Sequence, residues 1–342
     1  MEYAILGKTG LKISRIGFGG IPIQRVAEET AIDTLLYAFQ KGVNFIDTAR
    51  GYGISETYIG KALKQTDKRI YVATKAPALT KDDMQKAVEL SFQTMRTDYI
   101  DLYQIHNITT LENLKKAFGS NGSVEALEEA KHQGKIGHIG ITSHKMDILF
   151  YALEHFADRF ESIMYPYNIV ERQAADLFRL CAEKNIGVLA MKPLGGGNLN
   201  ETTLAMKFIM QNPHITAAIP GMANRQEVDE DTRIDNSPLT EQEQATCERL
   251  RLELGNDFCR RCGYCAPCTA GIDIPVMFTM YNYLERYHLK DWASQRYFAN
   301  AKTAKDCIDC GLCETRCPYQ LPIRKKLHQV AIAFGEIPNS DK

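Results

Sequence analysis

Little in this chain of 342 residues favours a large charged partner or a lipid bilayer. Lysine and arginine (41) almost balance aspartate and glutamate (42), which leaves a net charge of −1 at pH 7. Nucleic acids and anionic membrane surfaces attract strongly basic proteins, and this balance predicts neither as a partner. The sequence also lacks an apolar run of the roughly 20 residues that a membrane-spanning helix needs. We therefore expect no nucleic-acid partner and no membrane insertion.

An export signal is missing from the N-terminus as well. Residues 1–8 read MEYAILGK and contain none of the apolar core of a secretory signal. Because disulfides form in oxidising compartments, we expect none here. The sequence therefore predicts a cytoplasmic protein whose cysteines stay reduced.

A third missing feature is a G-x-G-x-x-G turn that opens a helix, which disfavours an open doubly wound sheet. Over the first 250 residues, short apolar runs alternate with amphipathic segments. Eight alternations of strand and helix, with strands rich in Ile, Val and Leu, predict a (β/α)8 TIM barrel. The predicted strands are 15–20, 44–49, 70–75, 99–106, 136–143, 161–168, 187–193 and 215–221, and the predicted helices are 30–41, 55–64, 81–96, 123–133, 145–156, 171–184, 201–211 and 240–254.

The length of the chain favours one large domain followed by a small one. We predict the barrel over residues 1–254, with a hairpin formed by 3–6 and 11–14 covering its floor. Residues 255–342 then form the small domain. Its middle, 274–305, has the apolar period of a helix, so we expect a helical module.

Cysteine is concentrated in that small domain, in two bursts of four. The second burst has the spacing C-x2-C-x2-C-x3-C-P of bacterial ferredoxins, in which the fourth cysteine binds the other of two clusters. The first burst has x2 in place of x3 before its last cysteine. Pairing the bursts crosswise predicts one [4Fe–4S] cluster on Cys259, Cys262, Cys265 and Cys317, and a second on Cys307, Cys310, Cys313 and Cys268.

Zinc and disulfides are the alternatives for these cysteines. Four-cysteine zinc sites also use C-x2-C pairs, although two quartets with a trailing Cys-Pro are not their usual pattern. The other two cysteines, Cys181 and Cys247, lie in helix-like stretches and are predicted to be buried and unreactive.

Titratable residues follow consecutive predicted strands, at the end where active sites of (β/α)8 barrels lie. Asp47 and Tyr52 follow the second strand, Lys75 ends the third and His106 ends the fourth. A tyrosine hydroxyl has a reference pKa of about 10, so a nearby Lys75 ammonium would help it to exchange protons, and Asp47 would hold Lys75. His106 would donate a hydrogen bond to a substrate oxygen. Each residue alone also has a structural explanation, as a turn cap or a satisfied core group.

At these residues the chain resembles the aldo-keto reductase superfamily. The motifs that carry the resemblance are 44–56 (NFIDTARGYGISE), 71–75 (YVATK), 98–106 (DYIDLYQIH) and 139–143 (IGITS). With 191–197 (MKPLGGG) and the cysteine-rich tail, the chain is similar to the iron–sulfur branch, which carries a ferredoxin-like C-terminal domain. The resemblance implies reversible hydride transfer between a nicotinamide and a small-molecule carbonyl or alcohol. It gives Tyr52 the role of general acid/base, with Lys75, Asp47 and His106 as its partners.

The resemblance also implies where a nicotinamide cofactor would bind. The sequence departs from the family pattern at Met164, where many relatives have Gln, and at Met191, where many have an aromatic residue. Glu227 falls where relatives bind the adenosine 2′-phosphate and would repel it, which favours NAD(H) over NADP(H). The expected cofactor-binding residues are Ser143, Lys192, Leu194, Gly195, Gly196 and Gly221.

Three functions stay open at this point, because a hydride carries two electrons and each cluster carries one. We favour a nicotinamide-dependent carbonyl reductase whose clusters are structural or sense redox state. The second is a reductase without NAD(P), in which a ferredoxin-like donor feeds electrons through the clusters to a flavin or directly to the substrate and Tyr52 delivers protons. The third is a non-catalytic electron-transfer protein. The longest predicted loop, 108–121, does not identify a substrate, and basic residues 324–326 offer a docking patch for an acidic donor.

Overall fold

The computed structural model describes residues 1–233 and 237–337. The chain divides into two compact units. The first contains Met1–Gly195 and Leu199–Glu243, and the second contains Gly196–Asn198 and the chain from Gln244 onward.

Eight parallel strands of the first unit form a barrel, as the sequence predicts. They are hydrogen-bonded in chain order, from the strand Phe18–Gly19 to the strand Ala217–Ile219. Parallel bridges from Ile16 to Ala218 and from Gly19 to Gly221 join the first of these strands to the last. The (β/α)8 prediction is therefore confirmed. The strands are β3 (Phe18–Gly19), β4 (Phe45–Asp47), β5 (Tyr71–Ala76), β6 (Ile100–Ile105), β7 (Ile136–Thr142), β8 (Ser162–Pro166), β9 (Gly187–Met191) and β10 (Ala217–Ile219).

The strands are short. They are also largely apolar, because both of their faces are covered. All six residues of β6 are buried, as are all three of β4, which is typical of parallel sheets that helices cover outside and side chains fill inside. The helices of this unit are α1 (Glu28–Gln40), α2 (Ser55–Leu63), α3 (Lys81–Met95), α4 (Leu111–Phe118), α5 (Ser123–His132), α6 (Met146–His155), α7 (Ala175–Glu183), α8 (Thr202–Met210) and α9 (Arg225–Thr232).

An antiparallel hairpin of β1 (Tyr3–Ile5) and β2 (Lys12–Ser14) closes the end of the barrel where the strands begin. Leu6 and Ile13 pack in one buried cluster with interior residues of the barrel, Phe45 and Leu102 among them. Gly7 has φ +50°, and a Cβ there would lie 2.3 Å from the backbone nitrogen of Gly187. Only glycine allows this backbone approach, which seats the hairpin as the sequence predicts.

The loop predicted over 108–121 is wrong in part, because it contains helix α4. Thr110 is extended, and its hydroxyl accepts a hydrogen bond from the backbone nitrogen of Asn113 (3.1 Å). Leu114, Ala117 and Phe118 are buried on one side of the helix. A threonine cap followed by this apolar spacing is a helix signal that the loop assignment overlooked.

The second unit is helical. The predicted helical stretch 274–305 is two helices, since the chain turns at His288, which has φ +53°. Met277, Phe278, Tyr297 and Leu327 belong to its buried core. Its helices are α11 (Ile274–Glu285), α12 (Lys290–Phe298), α13 (Leu312–Thr315), α14 (Ile323–Ala333) and, from Gln244 onward, α10 (Glu241–Leu254).

Among the described residues, none of the helices combines the length and apolar character required to span a bilayer. Cys181 and Cys247 are buried, as predicted. Burial raises the pKa of the Cys181 thiol to about 12, which suits a packing residue.

Candidate functional site

Four titratable residues lie at the carboxyl ends of neighbouring barrel strands. Asp47 is the last residue of β4, Tyr52 lies in the loop before α2, Lys75 is the fifth residue of β5, and His106 follows β6 directly. The strands pair in parallel, with Asp47 beside Ala73 and Lys75 beside Gln104. This register is what brings the four residues to one end of the barrel.

Lys75 and Asp47 form a buried ion pair, with only 2% and 4% of their surfaces exposed. The Lys75 ammonium also donates to the carbonyl oxygen of Thr48 (2.8 Å). Burial raises the pKa of Asp47 and lowers the pKa of Lys75, and the opposite charge of each partner opposes both shifts. The pair therefore fixes a polarised donor at a defined place in an otherwise dry environment.

Tyr52 lies against this ammonium. The Lys75 Nζ atom is 5.1 Å from the centroid of the Tyr52 ring, and the Tyr52 and His106 rings meet edge to face with their centroids 6.0 Å apart. The structure thus brings the tyrosine, the lysine and the histidine into one cluster. A cation next to a phenol favours its ionised form, which is the electrostatic requirement for proton transfer by tyrosine.

His106 is neutral at physiological pH. Its burial, together with the nearby Lys75 charge, lowers the pKa of the imidazole to about 3. A neutral imidazole has one N–H to donate and one nitrogen that accepts. His106 can therefore donate to a substrate oxygen without competing with Tyr52 for a proton.

Gln104 is a site residue that the sequence prediction missed. Its side-chain nitrogen donates to Asp47 Oδ1 (2.9 Å), while the other carboxylate oxygen accepts from Lys75. Gln104 lies on β6, and His106 follows two positions later. In an extended chain this spacing directs both side chains to the same face. That spacing was the signal available in the sequence.

The residues predicted to bind a nicotinamide are engaged with backbone groups. Ser143 Oγ donates to the carbonyl oxygen of Ile108 (2.6 Å) and accepts from the Lys145 backbone nitrogen (2.9 Å). Lys192 has φ +56°, and its carbonyl oxygen accepts from the Gly195 backbone nitrogen (2.9 Å). The Gly195 amide is therefore already paired, and the local turn after β9 is tightly specified.

Gly196 and Gly221 differ in the space around them. Gly196 has φ +69°, and a Cβ there would meet no atom within 4 Å. Gly221 is bridged to Gly19, and a Cβ on it would lie 2.7 Å from the Pro22 ring. Leu194 precedes the glycine run, and its carbonyl oxygen accepts from the Leu199 backbone nitrogen (3.1 Å).

Glu227 keeps its carboxylate at the start of α9. Arg25 donates to one of its oxygens (3.0 Å), and the Ala223 backbone nitrogen donates to the other (2.6 Å). The nearby Arg225 is committed to Asp33 (2.7 Å). The cations of this loop are thus paired with carboxylates.

The eight clustered cysteines line two separate cavities of the second unit. We call them the first cavity and the second cavity. The first cavity is lined by Cys259, Cys262, Cys265 and Cys317. The second cavity is lined by Cys268, Cys307, Cys310 and Cys313.

This grouping is the crosswise one expected from the spacing, and it includes Cys268, whose spacing is irregular. Among the described residues, no group of three or more His, Cys, Asp or Glu side chains is placed to hold a single metal ion. Four thiols around an otherwise largely apolar cavity are the ligand set of a [4Fe–4S] cluster, so the residues present fit one cluster in each cavity.

Comparison with known proteins gives a match for each unit. The model of the Aldo/keto reductase family matches residues 15–204. The model of a 4Fe-4S dicluster domain matches residues 258–322.

Individual relatives resemble the barrel. An L-galactose dehydrogenase from Arabidopsis thaliana is 28% identical over 284 residues, which cover 67% of this chain and 86% of that protein. An NADH-specific methylglyoxal reductase from Escherichia coli is 30% identical over 234 residues, covering 59% and 70%. Among solved structures, the holo form of an aldo-keto reductase from Bacillus halodurans matches with a TM-score of 0.63 and 25% identity, covering 73% of this chain and 96% of that one.

Proposed function

Because this chain belongs to the aldo/keto reductase family and carries a 4Fe-4S dicluster domain, we propose that it interconverts a small-molecule carbonyl and the corresponding alcohol with a nicotinamide cofactor. The observation that carries the proposal is the Lys75 ammonium, held by Asp47 and lying 5.1 Å from the centroid of the Tyr52 ring. A phenol next to a fixed buried cation can donate a proton to a substrate oxygen and accept one from it.

Tyr52 is the general acid/base of the proposed reaction. It protonates the carbonyl oxygen during reduction and removes the alcohol proton during oxidation, and the Lys75 charge stabilises its phenolate. The neutral His106 donates a hydrogen bond to the same substrate oxygen and so orients the carbonyl. The nicotinamide, when bound, supplies or accepts the hydride.

For the cofactor, we assign its site to Ser143, Lys192, Leu194, Gly195, Gly196 and Gly221. NAD(H) is favoured over NADP(H), because Arg25 is paired with Glu227 and Arg225 with Asp33, which leaves no excess positive charge there, among the described residues, for a 2′-phosphate. The Escherichia coli relative, which is described as NADH-specific, supports the same preference. Tighter binding of NADPH than of NADH would contradict it.

The eight clustered cysteines are the proposed ligands of two [4Fe–4S] clusters, one for each cavity. Such clusters transfer single electrons at potentials that depend on their charge, their hydrogen bonds and their exposure. In the favoured function, carbonyl reduction does not require them, and they stabilise the second unit or respond to redox state.

The same two cavities also support a second function. Two sites that each carry one electron are better explained by electron transfer to a substrate than by a purely structural role. In this alternative a ferredoxin-like protein reduces the clusters, a bound flavin combines the electrons in pairs, and the barrel residues supply protons. NADH added by stopped flow to the anaerobic holoprotein separates the two. Carbonyl reduction by NADH with no bleaching of the iron–sulfur absorbance supports the first function, whereas carbonyl reduction that occurs only after a ferredoxin-like donor has bleached the clusters, and not with NADH, supports the second.

The test of the site itself is Tyr52→Phe. We expect turnover to fall by about 10²–10⁴-fold, the usual contribution of general acid/base catalysis, while NADH affinity stays unchanged because only the hydroxyl is lost. Tyr99→Phe is the matched control, since Tyr99 is 41% exposed and precedes the opposite end of β6. Undiminished turnover in Tyr52→Phe would reject the assignment.

A further inference from the structure

Arg260 is a buried cation that the proposed reaction does not use. It lies between Cys259 and Cys262, lines the first cavity, and has only 8% of its surface exposed. Its Nε and Nη1 atoms are buried and have no hydrogen-bond partner among the described residues. Two donor nitrogens of a guanidinium, which carry three N–H groups, are thus unsatisfied at the wall of a cavity lined by four thiols.

Such an arrangement is costly unless an acceptor completes it. Removing a guanidinium from water costs several kcal/mol, and unpaired buried donors add to that cost. The Arg260 guanidinium lies 3.8 Å from the centroid of the Tyr319 ring and 5.7 Å from that of Phe258. These rings position the guanidinium by cation–π contact, but they are not acceptors for in-plane N–H groups.

The second cavity has no equivalent among the described residues that line it. Its arginine, Arg324, has 45% of its side chain exposed and is paired with Glu314 (3.0 Å). The second cysteine burst contains two acidic residues, Asp309 and Glu314, and the first burst has Arg261 and Ala266 at the corresponding positions. The first thiol set therefore lies beside a buried cation, whereas the cation beside the second set is exposed and paired with a carboxylate.

We propose that Arg260 raises the reduction potential of a cluster in the first cavity above that of a cluster in the second. This inference rests on the proposed assignment of one cluster to each cavity. Reduction adds one negative charge to a site whose four thiolates are already negative, and a buried cation with free N–H donors stabilises that added charge. An electron shared between the two cavities then resides mainly in the first, and the second cavity is the lower-potential end.

The test is a potentiometric titration of the anaerobic holoprotein followed by electron paramagnetic resonance. In Arg260→Gln, we expect the equilibrium constant for reduction of the first cluster to fall at least tenfold. The more positive of the two reduction waves then shifts to a lower potential by about 59 mV or more, the value for a one-electron couple. Arg324→Gln is the matched control and should leave that wave in place. Arg260→Lys, which keeps the charge, should move it less than Arg260→Gln.

Movement of the more negative wave, no movement, or equal shifts in the Lys and Gln variants would overturn the inference. If Arg260→Gln loses its first cluster, Cys310→Ser decides, because it alters only the second cavity. It should change the resonance signal of the more negative wave, and a change in the more positive wave would overturn the proposal. Iron content separates a failure of the cluster assignment from a failure of the role given to Arg260, since two clusters require about eight iron atoms per chain. Fewer would refute the clusters themselves, whereas a full count with unmoved waves would refute only the role of Arg260.

Discussion

The two units of this protein treat a buried cation in opposite ways. In the barrel, the Lys75 ammonium is completed by the chain itself, through Asp47 and the Thr48 carbonyl. In the second unit, the Arg260 guanidinium has unsatisfied donors beside four thiols. The first arrangement exists before any ligand binds, and in the proposed reaction it controls where a proton resides. The second gains its acceptors only from the anionic group that the thiols would hold.

The strongest way to break this comparison is to remove the lysine. Lys75→Met leaves the Asp47 carboxylate buried without its cation, and loss of one partner of a buried ion pair costs about 3–5 kcal/mol of stability. The double variant Lys75→Met/Asp47→Asn removes the uncompensated charge, so it should recover a large part of that loss. The free energy of unfolding in denaturant measures both. Equal stabilities of the single and double variants would contradict a completed ion pair.

A smaller effect is expected at Gln104, which accounts for the second oxygen of the carboxylate. Gln104→Leu removes the 2.9 Å hydrogen bond to Asp47, and a hydrogen bond to a charged group contributes about 1.5–3 kcal/mol. Gln104→Glu serves as the comparison, because it keeps the shape but places a second acidic group against the carboxylate. If Gln104→Leu unfolds at the same denaturant concentration as the native protein, Gln104 does not support the pair.

Much of this architecture could be predicted from the sequence because it is repeated and local. The apolar strand runs and the amphipathic segments between them follow from periodicity, and Gly7 and Gly10 mark the hairpin. Asp47, Lys75 and His106 could be placed together because parallel strands end at one side of a barrel. Cysteine spacing was sufficient to predict which thiols share a cavity.

Contacts between side chains distant in the chain could not be predicted in this way. Gln104 contacts Asp47 across 57 positions, and Tyr319, two residues after the second cysteine burst, stacks on Arg260. Nothing local in Arg260 distinguishes it from an exposed arginine. The turn at His288 was also missed, because the apolar period of 274–305 continues through it.

The next effect concerns pH. The pKa of His106 is about 3 in the folded protein and near 6.5 in an unfolded chain. Between these values the unfolded state binds more protons, so stability falls as the pH falls. His106 should cost the protein up to about 2 kcal/mol between pH 7 and pH 5, and His106→Gln should flatten that dependence. Turnover between pH 5 and pH 8 should likewise show no limb from a histidine of ordinary pKa.

That comparison fails if His106→Gln and the native protein lose the same stability between pH 7 and pH 5. A rate profile with a limb near 6.5 that His106→Gln abolishes would also contradict a neutral imidazole of lowered pKa.

The smallest effect is expected where a charge pair is exposed. Arg225 and Asp33 pair on the surface, with 58% and 49% of their side chains accessible. Arg225→Gln should leave the melting temperature unchanged within error, because solvent and salt already screen the pair. A clear loss of stability would show that burial is not what separates these pairs from Lys75 and Asp47.

The central claim is that the barrel transfers a hydride from a nicotinamide, with Tyr52 supplying the proton. The most direct measurement is the deuterium content of the alcohols formed from a panel of small aldehydes and ketones, using NADH deuterated at the transferred position. The account predicts cofactor deuterium on the product carbon, and loss of that product in Tyr52→Phe. An alcohol that carries only solvent hydrogen at that carbon would contradict it.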